Sequence, residues 1–354
     1  MKNYLLGIRG MVYYTTIDVF RFFNMKVILQ VIKVMFSIFI LSFAIVLPAC
    51  RNLKSGTGDL GLIWTAVDDS TFKAYISSIT YGAGKFVAVG IWGQMAYSTN
   101  GLTWIAVNDN KFDWTIILDI AYGGDKFVAV GDNGQMAYST NGINWTAITN
   151  KTFTIFDTLS SIHGIAYGGG KFVAAGLGGI MTYSTNGIDW VAVDYSTFDL
   201  LYAISGIAYG GENGDEKFVA VGDNGRMAYS TNGIDWTAVN DSTFGTTDIL
   251  GIAYGGGKFV AVGVDGKMAY STNGIDWTAV ADNTFKERIL DIAYGGEKFV
   301  AVGNNGRMAY STNGINWAAV ADSTFKETIS GIAYGDGKFV AVGIGGKMAY
   351  SAGN

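Results

Sequence analysis

Two tryptophans, Trp92 and Trp114, stand outside the pattern that the rest of this chain obeys. With Phe156 and Tyr202 they make up a set of aromatic side chains able to stack on a flat apolar surface such as the C–H face of a sugar ring. Four cations, Arg226, Lys267, Arg307 and Lys347, each stand directly before a Met-Ala-Tyr-Ser run, and as a basic arc they would attract carboxylates or sulfates. A plainer reading stands beside each of these. The aromatic residues would fill gaps between structural units, and the cations would be balanced by neighbouring acids such as Asp223 and Asp265.

Catalytic chemistry finds less material. His163 is the only histidine, so a Ser-His-Asp arrangement can be built only there, and no nucleophile elbow accompanies it. A single His without a Cys partner also argues against a zinc site, and His163 reads as a loop residue. A glycosidase pair of carboxylates stays open, because sequence spacing does not reveal separation in space. No cofactor and no metal is expected, and the balance leans against an enzyme.

The elements that must position these residues come from a repeat, seen best in residues 251–280, GIAYGGGKFVAVGVDGKMAYSTNGIDWTAV. Each unit ends on a Trp (Trp64, Trp104, Trp145, Trp190, Trp236, Trp277 and Trp317), with successive gaps of 40, 41, 45, 46, 41 and 40 residues. Periods of about 40–50 residues carrying several short strands point to propeller blades. The last unit lacks a closing Trp-Thr-Ala-Val, whereas the first such segment, at 64–67, has no unit before it. Joining the two ends restores one period. The expected fold is therefore all-β, a seven-bladed propeller of four-stranded antiparallel blades over residues 61–354, with Trp64 to Val67 completing the C-terminal blade. An open solenoid would leave two ragged edges.

Four segments make one blade. In the fifth unit they are Ile252-Ala253-Tyr254, the nearly continuous apolar run from Lys258 to Val262, Met268 to Ser271, and Trp277 to Val280. Asn273-Gly274 joins the last two and predicts a type I′ hairpin, since both central residues would need positive φ. Strand alternation puts the turns after the first and third strands on one end of the ring. The turns after the second strand and the inter-blade connections lie on the other. Connection length varies on that second end: Phe325 to Tyr334 is 9 residues, Phe153 to Tyr167 is 14 and Phe198 to Tyr209 is 11.

The Ser-Thr-Asn-Gly-Ile-Asp-Trp stretch at Ser271 resembles the Asp-box, or BNR, repeat of sialidase-like, sortilin-like and photosystem II assembly-factor-like propellers. Its Ser, Asn and Trp recur as Ser98, Asn100 and Trp104; Ser139, Asn141 and Trp145; Ser184, Asn186 and Trp190; Ser230, Asn232 and Trp236; Ser271, Asn273 and Trp277; and Ser311, Asn313 and Trp317. A seventh copy is split between Ser351 and Trp64. The family carries Asp where this chain has Asn, which accepts the same backbone hydrogen bonds. The resemblance implies a structural hairpin and a ligand at the connection end. It also implies, for a sialidase, three converging Arg, a Tyr–Glu nucleophile pair and an Asp acid. The repeat region holds only Arg226, Arg288 and Arg307, and no Arg-Ile-Pro occurs.

The N-terminus differs in kind. Met25-Lys26, the read start, and Lys33 precede an uncharged apolar run at 34–49 that ends at Leu47-Pro48-Ala49-Cys50. This resembles a bacterial lipoprotein signal, which implies a leader over 1–50, lipid attachment at Cys50, a tether over 51–60 and a place in the cell envelope, periplasmic or surface-exposed. The alternative is an uncleaved anchor, for which sixteen apolar residues fall short of the ~20 of a spanning helix. Of 24 Lys plus Arg and 29 Asp plus Glu, five cations but only one acid precede Cys50, so the repeat region is acidic and nucleic acid is not an expected partner. The expectation is a monomeric, lipid-anchored binding module for a glycan or protein ligand. A glycoside hydrolase and a scaffold for assembling an envelope complex are the alternatives.

Overall fold

The computed structural model describes residues 60–353, apart from 69–70, 109–110, 150–152, 156–157, 194–196, 199–200, 241–242, 282–283 and 322–323. The leader, Cys50 and Phe156 lie outside the described residues.

Each repeat folds into a four-stranded antiparallel sheet, and there are seven of them. Blade 1 comprises Ile76–Gly82, Lys85–Gly90, Met95–Ser98 and Ile105–Ala106. Blades 2 to 6 occupy residues 117–148, 162–192, 204–238, 249–279 and 289–319. Blade 7 takes three strands from the C-terminus and one from the other end of the chain. Thr65–Ala66 pairs with Met348–Ala352, Thr65 opposite Tyr350 and Ala66 opposite Ala349, so the ring closes where the repeat arithmetic places the joint.

The closure is more than two residue pairs. Ser351 Oγ accepts the Gly61 N–H at 2.7 Å, and Lys298 of blade 6 donates to the Leu60 carbonyl at 3.1 Å. Leu60 and Trp64 are buried with Val300, Val302 and Met308 of blade 6 and Phe339 of blade 7. All seven apolar clusters repeat this plan, Val and Met from one blade packing on Phe and Trp of the next. The core therefore lies between blades. That explains the continuous apolar second strand: Lys258–Gly263 is buried at every residue but Lys258, because both of its faces meet a sheet. Of the seven repeat Trp, only Trp236 is merely half-buried. Blades approach closely where a Tyr ring of one lies over a Gly of its neighbour. A Cβ on Gly82 would fall 2.0 Å from Tyr122 Cγ.

The Asn273-Gly274 turn differs from expectation. In the turn between third and fourth strands Gly274 has φ +72°, but Asn273 is not left-handed, so this is no type I′ hairpin. Side chains build it instead. Ser271 Oγ accepts the N–H of Gly274 at 2.8 Å, and Asn273 Oδ1 accepts those of Ile275 and Asp276, each at 2.9 Å. The type I′ geometry sits between the second and third strands, where Asn133 and Gly134 have φ of 56° and 63° and Gln135 N–H donates to the Asp132 carbonyl.

First strands of neighbouring blades pack on one another and so line the axis. Every one of them carries a bulge after its first residue. The extra residue is Ser77, Leu118, His163, Ser205, Leu250, Leu290 or Ser330, which brings three Ser, three Leu and one His to the axial channel. The long connection into blade 3 holds an additional hairpin, Thr154–Ile155 paired with Thr158–Leu159.

Candidate functional site

The connection end collects most of the residues singled out by chemistry, and it groups them in pairs. In blade 1 the turn between second and third strands is Trp92-Gly93, where the other blades have Asn133, Gly178, Asn224, Asp265, Asn305 or Gly345 before the Gly. Trp92 adopts φ 58°, a region that suits Asn, Asp and Gly but is unfavourable for a bulky side chain. The connection that follows is equally unusual: Lys111, Asp113 and Trp114 have φ of 72°, 25° and 65°. Both rings face solvent, Trp92 55 % and Trp114 83 % exposed. The Gly93 N–H donates to the Thr115 carbonyl, so the two tryptophans are carried on hydrogen-bonded neighbouring segments.

Tyr202 and Arg226 form the second pair. The guanidinium carbon lies 4.2 Å from the centre of the Tyr202 ring, which half-buries Arg226 as a cation–π partner. Lys267 donates to the Phe244 carbonyl at 3.1 Å and to Thr247 Oγ1 at 2.7 Å, so it is engaged within its own connection. Arg307 and Lys347 are exposed. Arg307 lines a depression of about 390 Å³ with Lys326, Thr284 and Asn305, above Phe285, Phe325 and Val320. The four cations thus differ in their surroundings, Arg226 stacked, Lys267 hydrogen-bonded, Arg307 and Lys347 exposed.

The axial channel, about 150 Å³, brings together residues that sequence reasoning missed. His163 is not in a loop but on the innermost strand of blade 3, in Ile162–Gly168. Burial pushes its imidazole pKa down, opposed by the charges of Asp132 and Asp223. Asp119 and Asp291 stand where the other blades have Gly or Ser, and that departure within an otherwise Gly-Ile-Ala-Tyr pattern was the available signal. Asp119 accepts from Ser78 Oγ in blade 1 at 2.7 Å, from Ile120 N–H at 2.8 Å and from Ile165 N–H in blade 3 at 2.9 Å. Asp291 accepts from Ile292 and from Ile332 of blade 7, each at 2.8 Å. Each carboxyl therefore spans a gap between blades.

Both line the narrow channel yet lie deep in protein, and no cation among the described residues acts on either carboxyl. Burial raises Asp119 to about 6, its three hydrogen bonds opposing the rise. Burial raises Asp291 to about 7, with the charge of Asp119 adding to the effect. Tyr75, immediately before the blade 1 inner strand, is also raised by burial, lowered by its hydrogen bond with Ser330 and raised by Asp291.

No protein-family model and no curated protein matches the sequence. Among solved structures the chain is similar to YCF48 bound to D1 peptide, at 18 % identity and a TM-score of 0.64 over 82 % of this chain and 97 % of that one. YCF48 from Cyanidioschyzon merolae gives 19 % and 0.61 over 82 % and 98 %. Virginiamycin B lyase from Staphylococcus aureus gives 14 % and 0.69 over 82 % and 99 %. These likenesses establish the propeller fold, a scaffold that hosts both a peptide binder and a lyase.

Proposed function

We propose that this propeller is a non-catalytic binding module that takes a glycan or protein ligand on its connection end, through Trp92 and Trp114. The observation that carries the reading is the pairing of exposure with strain. Two large apolar rings project into solvent from left-handed backbone, in the one blade whose turn lacks Asn, Asp or Gly at that place. Such strain is unfavourable for folding and concentrates where side chains must be presented to a ligand. Aromatic anchors with little rotamer freedom suit both a sugar face and a protein surface. The YCF48 complex, in which a propeller holds a peptide, supports the protein arm by analogy.

The proposal includes the Asp-box identity of the Ser-Thr-Asn-Gly turns and an exported chain tethered to a bacterial membrane by lipid on Cys50. A glycan array and an immobilised envelope-protein fraction, both probed with the full chain, test the ligand. Binding that disappears in Trp92→Ala/Trp114→Ala is the expected result, and binding unchanged in that variant overturns the tryptophan assignment. Metabolic palmitate labelling that persists in Cys50→Ala would exclude the anchor at that residue.

One observation favours the hydrolase alternative: Asp119 and Asp291 are two carboxyls that line one channel, and burial raises the pKa of both. Release of a fluorogenic sugar by the wild type, lost in Asp119→Asn or Asp291→Asn, would replace the binding reading with that one.

A further inference from the structure

We propose that the depression on blade 6, between Arg307 and Lys326, is an oxyanion-binding site that takes a carboxylate, sulfate or phosphate group of a ligand. The inference rests on the same end being the binding face, but on other residues than the tryptophans.

Two cations from different elements converge there. Arg307 follows the turn between second and third strands of blade 6, and Lys326 comes from the connection into blade 7. Both are exposed, and no carboxylate is among the described lining residues. Of the described acids nearby, Glu287 is engaged by the side-chain amide of Asn305, and Glu327, next to Lys326, lies toward Gly345 of the blade 7 turn. The depression is floored by Phe285, Phe325 and Val320. Apolar walls lower the local dielectric and strengthen attraction to a bound charge. The Arg fork suits two oxygens of one oxyanion, and Lys adds a third donor.

The repeat supplies its own controls. At the positions equivalent to Arg307 and Lys326, blade 1 has Gln94 and Asp113, and blade 4 has Arg226 and Gly245, with Arg226 stacked on Tyr202. Blade 5 has Lys267 and Lys286 at these positions, and there Lys267 donates to the Phe244 carbonyl and to Thr247. Blade 7, next in the ring, has Lys347 and Lys73, both exposed, which extends the positive sector around the site. In a chain of net charge −5, three consecutive blades, 5 to 7, thus concentrate cations on one end, and blade 6 alone among them contributes an Arg at these positions.

Nuclear magnetic resonance of the arginine side-chain Nε–H groups in the full chain tests this directly. Sodium sulfate, phosphate and acetate are titrated separately against sodium chloride at matched ionic strength, which distinguishes the oxyanion classes. The expected result is a saturable shift of the Arg307 signal and of the Gly306 and Lys326 amides with at least one oxyanion. Lys326→Ala should weaken the response about fivefold or more, and Arg307→Lys should weaken it while the fold is retained. Trp92→Ala/Trp114→Ala should leave it unchanged, so loss of the tryptophan reading and loss of this site are separate outcomes. Linear shifts no larger than those with chloride, or a response at Arg226 in place of Arg307, would overturn the assignment.

Discussion

The backbone N–H of Gly93 donates to the carbonyl of Thr115 at 2.6 Å, and this one bond places the Trp92 turn against the segment that presents Trp114. Both tryptophans are left-handed, so the arrangement opposes the local preference of either residue. Trp92→Asn should therefore raise stability by about 1 kcal/mol in chemical denaturation, because Asn tolerates this φ and Trp does not. The same variant should lose ligand. An unchanged or lower unfolding midpoint would mean that packing of the indole outweighs the backbone strain.

Ring closure predicts a large effect far from any site. Trp64→Ala empties a position 4 % exposed, between blades 6 and 7, and should cost about 3–5 kcal/mol. Deleting residues 60–67 should do more, exposing Met348–Ala352 as an unpaired edge and promoting self-association visible by light scattering. A deletion variant that stays monomeric with wild-type stability would show that the latch is dispensable.

The axial carboxyls predict an unusual pH dependence. A carboxyl whose folded-state pKa lies above its unfolded value binds its proton more tightly in the native state. Its stabilising contribution is complete below about 4 and is lost as pH rises through about 6 for Asp119 and about 7 for Asp291. Thermal melts should thus show a fall in midpoint between pH 5 and pH 8 that Asp119→Asn/Asp291→Asn flattens. An equally steep fall in the double variant would assign the slope to other groups.

The Ser-Thr-Asn-Gly turns predict that identical substitutions differ by blade. Asn273 Nδ2 donates to Asp276 at 2.9 Å, as Asn232 does to Asp235 at 2.8 Å, whereas Asn141 is followed by Asn144. Asn273→Asp should place two carboxylates together and destabilise. Asn141→Asp should be nearly neutral, since the Ile143 and Asn144 N–H groups keep their acceptor. Ala at either place should cost about 1–2 kcal/mol, with denaturant midpoints as the readout.

Much of the architecture was legible because the same residues recur at one spacing. Trp at each unit's end, the buried Phe-Val-Ala-Val strand and the split last unit leave one arrangement in which every blade has four strands. The turns were less legible. Asn133-Gly134 and Asn273-Gly274 are the same dipeptide, but Ser271 and the Asn273 side chain supply acceptors that remove the need for a left-handed Asn. His163 was misplaced because a lone polar residue in a Gly-rich stretch looks like a loop, and the inner strand that holds it is defined by its neighbours.

The sequence by itself determined the number of blades, the place where the ring closes and the division of the loops between two ends, since these follow from periodicity and strand alternation. Only the tertiary structure decided which side chains meet. Arg226 lies on Tyr202, Lys267 is consumed by its own connection, and Arg307 meets Lys326 from the next connection. Asp119 and Asp291, 172 positions apart in the numbering, share one channel. The reason is geometric: curving seven sheets around an axis brings their first strands together, a proximity that spacing along the chain does not encode.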